Sequence, residues 1–104
     1  MSLLQPVRGR IPVDTTSPEA VAAAARRLCD ELLAWNRLRP GDVVAARFTG
    51  GASLPASPVP AAREAGWSGI PIFFTRAADD AGLLEVEAHV RLRRKRRLRP
   101  LELA

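Results

Sequence analysis

From Leu84 to Arg93 the chain alternates without a break, with Leu84, Val86, Ala88, Val90 and Leu92 apolar and Glu85, Glu87, His89, Arg91 and Arg93 charged or titratable. Successive side chains of a strand point to opposite faces, so this run predicts a strand with one apolar and one charged face. Such an element needs a covering layer on its apolar side only, as in a sheet backed by helices. His89 and Arg91, two residues apart, point the same way on the charged face.

The covering layer is legible upstream. Asp14-Thr15-Thr16-Ser17 offers caps, while Pro18 and Glu19 suit a first helical turn, where a missing N–H costs nothing and a carboxylate meets the positive dipole end. From Pro18 to about Asn36, Val21, Ala25, Leu28, Leu32 and Trp35 recur at three- and four-residue steps, which predicts a helix with one face on a sheet. Trp35 and Trp67 read as packing residues. Arg39-Pro40-Gly41 breaks the helix, Asp42 to Thr49 reads as an interior strand, and residues 50–58 form a small-residue loop. Pro60 to Gly66 fits two helical turns ending in a glycine cap, and Gly69 to Thr75 fits a third strand that must turn Phe73 or Phe74 away from its own core. Arg76 to Gly82 is turn-forming. Near the start, a short strand runs through Pro6, Val7, Arg8 and Gly9, with Pro6 and Pro12 arguing for a sheet edge or an early end. The expected fold class is α+β, a mixed sheet packed on one long helix, in a single domain spanning 1–104. A core from 104 residues is modest, so association with further copies is a natural way to cover apolar surface.

Charge invites a nucleic-acid reading, with a net charge of +5 and a sequence pI near 11.2. Seven of the basic groups lie in residues 91–99, and the nine elsewhere face eleven acids. The body is therefore slightly acidic, and the basic segment lacks the interleaved aromatics of a single-strand binder. Lys95 is the only lysine, which beside abundant alanine looks like the imprint of a GC-rich genome. A single cysteine, Cys29, excludes an internal disulfide, and a single histidine with no Cys/His cluster gives no metal site. No apolar run approaches the length of a membrane span, and a soluble, cytoplasmic protein is expected.

Arg8 beside Gly9 at a strand end can present a rigid guanidinium fork to a carboxylate, and Arg63 on the short helix can close on the same ligand. The ligand expected on these grounds is a small anion. The competing reading is structural, with both arginines in salt bridges to Glu64, Glu85 or Glu87, and His89 likewise solvated or salt-bridged.

The order Arg8-Gly9, a long helix, Arg39-Pro-Gly-Asp-Val-Val44, a loop, Ala61-Ala-Arg-Glu-Ala-Gly-Trp67 and Ile70-Pro-Ile72 resembles the AroH-type monofunctional chorismate mutases over roughly residues 7–92. The resemblance implies a homotrimer with a pseudo-α/β barrel core and active sites at subunit interfaces. It also implies the Claisen rearrangement of chorismate to prephenate, with no cofactor and no covalent intermediate. By position, Arg8 matches a carboxylate-binding arginine and Arg63 matches the pocket arginine of the short helix. Ser57 stands where the family has a pocket phenylalanine, with Pro60 for a basic residue; Phe74 stands where it has a cysteine, with Ala77 for a glutamate. His89 falls on the arginine that faces the ether oxygen, and Arg91 can substitute from the same strand face. The family's pocket tyrosine has no counterpart, because this sequence contains no tyrosine.

The function expected is thus a chorismate mutase-like isomerase or cyclase acting on a small carboxylated substrate, chorismate or a relative, with its altered pocket suiting a specialised pathway. His89 and Arg91 are the candidate catalytic residues, and Arg8, Arg63, Phe74 and Ser57 the candidate substrate-binding ones. The alternatives are a non-catalytic trimer that binds small anions and a nucleic-acid-binding protein using residues 91–99.

Overall fold

The computed structural model describes residues 3–14, 17–77 and 82–104. Strands β1 (Leu3–Pro12), β2 (Val43–Gly51), β3 (Ile72–Ala77), β4 (Leu83–Leu92) and β5 (Leu101–Glu102) form one sheet in the order β3-β2-β4-β1-β5. Helices α1 (Pro18–Trp35) and α2 (Val59–Glu64) pack on one side of it. The sheet is mixed: β4 is antiparallel to both β1 and β2, whereas β3 runs parallel to β2 and β5 parallel to β1.

The alternation of β4 is realised residue for residue. Leu84, Val86, Ala88, Val90 and Leu92 are buried under the helices, and Glu85, Glu87, His89 and Arg91 stand on the open face. The same parity divides β1 into buried Val7, Gly9 and Ile11 and outward Leu4, Arg8 and Arg10. In β2, Ala46 and Phe48 are buried while Arg47 is exposed. A register shift between Val43 and Ala45 restores this phase after the strand's first residues.

β1 is a full ten-residue strand, longer than its prolines suggest, and it is interior only where β5 covers it. Arg10 turns its carbonyl toward β5, where it accepts from the N–H of Leu103. Pro6 and Pro12 share the parity of Arg10, so their missing N–H groups fall on the flank that the two residues of β5 leave uncovered. Gly9 has a separate reason: a Cβ there would meet Leu28 Cδ1 at 3.0 Å and Leu32 Cδ1 at 3.3 Å, so glycine lets α1 lie close on the strand.

Ser17 caps α1 by accepting from the N–H of Ala20 at 3.1 Å, while Thr15 and Thr16 of the expected cap segment lie outside the described residues. The expected turn at 76–82 likewise lies outside them over residues 78–81. Val21, Ala25, Leu28 and Leu32 are fully buried, together with Cys29, whose thiol is pushed up to about 12, first by burial and then by neighbouring Asp30. Cys29 is therefore an inert part of the core. Trp35 corrects the sequence reading. It lies at the helix end with about half its surface exposed, and the Arg99 guanidinium stacks over its ring at 4.8 Å. Trp67 does pack, at 1% exposure against Phe48.

The basic run is folded back onto the body. Asn36, the buried polar residue at the end of α1, donates through Nδ2 to the carbonyls of Leu32 and Arg99 and accepts from the N–H of Arg99. Arg96 donates to the Asn36 carbonyl, and Gln5 bonds the backbone of Arg96 in both directions. These bonds lead the chain from the end of β4 back along β1, where Leu101 and Glu102 pair with Gly9 and Arg10. Among the described residues no helix is long and apolar enough to cross a membrane.

Candidate functional site

With the helices on one side, the sheet's open face is free to carry chemistry, and its register sets charged groups in rows. One row crosses four strands: Phe73 of β3 lies opposite Arg47 of β2, Arg47 opposite Glu87 of β4, and Glu87 opposite Arg8 of β1. The next row runs Thr75, Thr49, Glu85, Arg10 and Glu102. Between them opens a cleft of about 340 Å³ lined by Arg8, Arg10, Arg47, Thr49, Glu85 and Glu87 and walled by the Pro100–Glu102 segment. That volume is at the small end of the roughly 300–1,000 Å³ typical of small-molecule sites.

Glu87 organises the centre of the face. Its Oε2 accepts from Arg8 Nε at 2.8 Å, and its Oε1 lies 3.1 Å from His89 Nε2. The hydrogen bonds from His89 and from Arg8 hold the Glu87 carboxyl below its ordinary value, so it is a carboxylate at neutral pH. Arg8 spends only its Nε on this contact. Its two terminal nitrogens remain for an anion, on a side chain that is 76% exposed. Arg10 is engaged by Glu102 at 3.0 Å and Glu85 at 3.7 Å. Arg47 makes no hydrogen bond or ion pair with any described residue, although it stands opposite Glu87, whose oxygens bond Arg8 and His89.

The other expected site residues are dispersed. Arg91 shares the outward face of β4 with His89 but lies toward the end of the sheet, opposite Leu4. Arg63 is on α2, on the helix side of the sheet, and donates to the Ile70 carbonyl at 3.1 Å; its neighbour Glu64 is paired with Arg26 of α1. Ser57 precedes α2 and accepts from the N–H of Val59 at 3.1 Å. Phe74 faces the helix side, partly buried against the core with the Arg76 guanidinium 5.1 Å above its ring, while Phe73 is the ring on the open face. Within one chain, then, Arg8 and His89 come together around Glu87, whereas Arg63, Ser57 and Phe74 belong to the opposite side.

Sequence reasoning did not single out Arg47. The available signal was its parity, as a lone charge between the inward residues Ala46 and Phe48 in an otherwise apolar strand. Among the described residues no group of three or more His, Cys, Asp or Glu side chains is placed to hold a metal ion.

A mixed sheet backed by helices on one face, with three arginines and three glutamates lining a small cleft on the other, defines an α+β domain with a charged cleft on its open face. The chain belongs to the chorismate mutase type I family, whose model matches residues 4–100. That membership makes it a chorismate mutase-like isomerase with a small carboxylated substrate. Its fold is similar to that of a chorismate mutase from Clostridium thermocellum, with a TM-score of 0.85 at 23% identity over 95% of this chain and 94% of that one. A Rid-family protein of unknown function from Yersinia pestis superposes with a TM-score of only 0.46, at 21% identity over 77% of this chain and 66% of that one. A comparison with curated proteins finds no match.

Proposed function

We propose that the chain rearranges chorismate or a close relative as a homotrimer, in clefts that combine the open sheet face of one copy with α2 and its approach from a neighbouring copy. The observation that carries this reading is the row of Arg47, Glu87 and Arg8 around a small cleft in a chain of this family. The trimer is supported by what the single chain leaves unfinished. Arg63, Ser57 and Phe74 face away from Arg8, while Phe73 and Leu4 on the open side are 66% and 60% exposed. Covering those apolar residues with a second copy removes them from water.

The chemistry asks for little beyond placement and charge. In an intramolecular rearrangement a C–O bond breaks as a C–C bond forms, with no external nucleophile and no net proton transfer. The protein's contribution is to hold the substrate folded and to set positive charge where the ether oxygen gains electron density. In this reading Glu87 holds Arg8 by its Nε so that the terminal nitrogens face a substrate carboxylate. Arg63 of a neighbouring copy meets the substrate from the other side, with Ser57 and Phe74 lining the same wall. His89, next to Arg8 through the shared Glu87, or Arg91 further along the strand supplies the charge opposite the ether oxygen.

The test is to follow loss of chorismate ultraviolet absorbance with purified protein whose mass has been measured by light scattering. Turnover by a species of about three times 11.3 kDa is expected. Arg8→Ala should lower kcat/KM by about ten- to a hundredfold, the loss of a charge-assisted contact, and His89→Ala or Arg91→Ala should lower kcat by about tenfold or more. A monodisperse monomer, or turnover untouched by all three substitutions, sinks the proposal. A second reading, a non-catalytic anion-binding trimer, is favoured by the ion pairs that already engage Arg8 and His89. Ligand binding without turnover distinguishes it.

A further inference from the structure

Between the end of β4 and the start of β5 lies the densest charge in the chain. Residues 93–99 carry six cations, Arg93, Arg94, Lys95, Arg96, Arg97 and Arg99, and no acid. Two of them anchor the segment. Arg96 donates to the carbonyls of Asn36 at 2.6 Å and Arg37 at 3.4 Å, while Arg99, bonded through its backbone to the Asn36 side chain, sets its guanidinium 4.8 Å from the centre of the Trp35 ring. The other four are exposed and make no hydrogen bond or ion pair with any described residue. Like charges this close repel one another, and a fold that pins their backbone in place keeps that repulsion unless an anion offsets it.

The chemistry of that anion follows from what surrounds the cations. Leu92 and Leu98 turn toward the core, which leaves the segment no apolar side to sink into a lipid surface. Glu31, Glu64, Glu85, Glu87 and Glu102 are already paired within the chain, so a second copy has little acid to present. Trp35 is the distinguishing group. Read alone, the segment lacks the aromatics of a single-strand binder, but the fold brings one to it from the end of α1, half exposed and with the Arg99 guanidinium over its ring. Every nucleotide has a phosphate and every base a π-face, so unpaired cations beside a partly open indole match a single strand.

We propose that residues 93–99 and Trp35 form a docking strip for single-stranded nucleic acid, a binding function separate from the isomerase reaction. The strip shares no lining residue with the cleft of the open face. Arg93, Arg94, Lys95 and Arg97 meet phosphates, and the Trp35 ring, steadied by Arg99, stacks a base. The Asn36 clasp fixes the path of the backbone, so the cations are offered from a set course rather than from a loose tail. Contacts of this kind read no base edges. The strip is therefore tolerant of sequence and favours a single strand over a duplex, whose stacked bases are hidden from the ring.

The experiment is binding of a fluorescein-labelled oligothymidylate to the full chain, read by anisotropy over a series of salt concentrations. Four phosphate contacts on a single strand predict a slope of about −3 in log K against log salt concentration, from roughly −0.7 per contact. Arg94→Gln, Lys95→Gln and Arg97→Gln together should leave one contact and a slope of about −1 or shallower. Trp35→Ala should weaken binding by about tenfold while keeping the wild-type slope, and Trp35→Phe should retain most of the affinity, because the stacking face survives. Since Trp67 is buried, unlabelled oligothymidylate should quench the emission of Trp35 in a saturable way. Circular dichroism checks that the variants, all at exposed positions, remain folded. The proposal is overturned if Trp35→Ala binds as tightly as wild type or if the triple substitution keeps the slope. It is equally overturned if a duplex of the same length binds as tightly, or if polyglutamate or vesicles of anionic phospholipid displace the oligothymidylate at equal charge.

Discussion

Replacing Asn36 by alanine probes the clasp that ties the basic segment to the end of α1. The side chain makes three hydrogen bonds, to the Leu32 carbonyl at 3.1 Å, to the Arg99 carbonyl at 3.0 Å and from the Arg99 N–H at 2.6 Å, and the residue is 4% exposed. A hydrogen bond is worth about 0.5–1.5 kcal/mol net, and buried partners left unpaired add to the loss, so Asn36→Ala should cost about 3 kcal/mol. For a chain of this size that corresponds to a fall in Tm of roughly 12–24 °C. Asn36→Asp is the sharper companion. It keeps an acceptor for the Arg99 N–H but turns a carboxylate oxygen toward two carbonyl oxygens, so its cost should be at least as large. Urea denaturation followed by circular dichroism measures both, at one fixed protein concentration because association would contribute to apparent stability. A loss below about 0.5 kcal/mol for Asn36→Ala would show that the clasp is not what holds residues 96–103 in place, and the argument would fail.

Three further outcomes follow from features of the fold and site. Gly66 has φ +102 and Pro40 would stand 3.1 Å from a Cβ there, so Gly66→Ala should destabilise by about 1–3 kcal/mol in the same denaturation assay; a neutral result would refute the strain argument. Because the folded Glu87 carboxyl lies below its ordinary value, its contribution to stability is present above the usual carboxylate range and is lost as pH falls through the depressed folded value. Wild type should therefore exceed Glu87→Gln in stability at pH 7 and converge with it in acid, and a gap that widens on acidification would contradict the assigned pairs. With its thiol pushed up to about 12, Cys29 should react with a chromogenic disulfide at pH 8 only after denaturant is added, and rapid labelling of the native protein would contradict its burial.

The parts of the fold legible in the sequence are those where one periodicity acts alone. β4 alternates because it has one wet and one dry face, and α1 repeats at three and four residues because one stripe packs on β1. The missed element, β5, is two residues long, too short for any period, and exists because Asn36 and Gln5 steer the chain beside β1. Trp35 misled for a related reason. It continues the apolar spacing of α1 one step beyond the sheet, where a cation from the returning segment covers its ring instead. At the site, the outward direction of Arg8, His89 and Arg91 follows from parity. Their grouping does not, since it depends on the register that sets Arg8 against Glu87. Arg47 needed the same register from a third strand, and local pattern contains no information on which strands become neighbours.

The two oxygens of Glu87 have a consequence for how this surface can vary. One carboxylate positions Arg8 and His89 at once, so a change at position 87 alters two cations, and a change at position 8 or 89 frees an oxygen that the guanidinium of Arg47, opposite on the neighbouring strand, is placed to capture. Substitutions at these four positions should be non-additive, with the effect of each depending on which partner Glu87 retains. A new ligand preference on this sheet would then be reached by exchanging partners around a fixed carboxylate, a path on which single substitutions are poor guides to pairs.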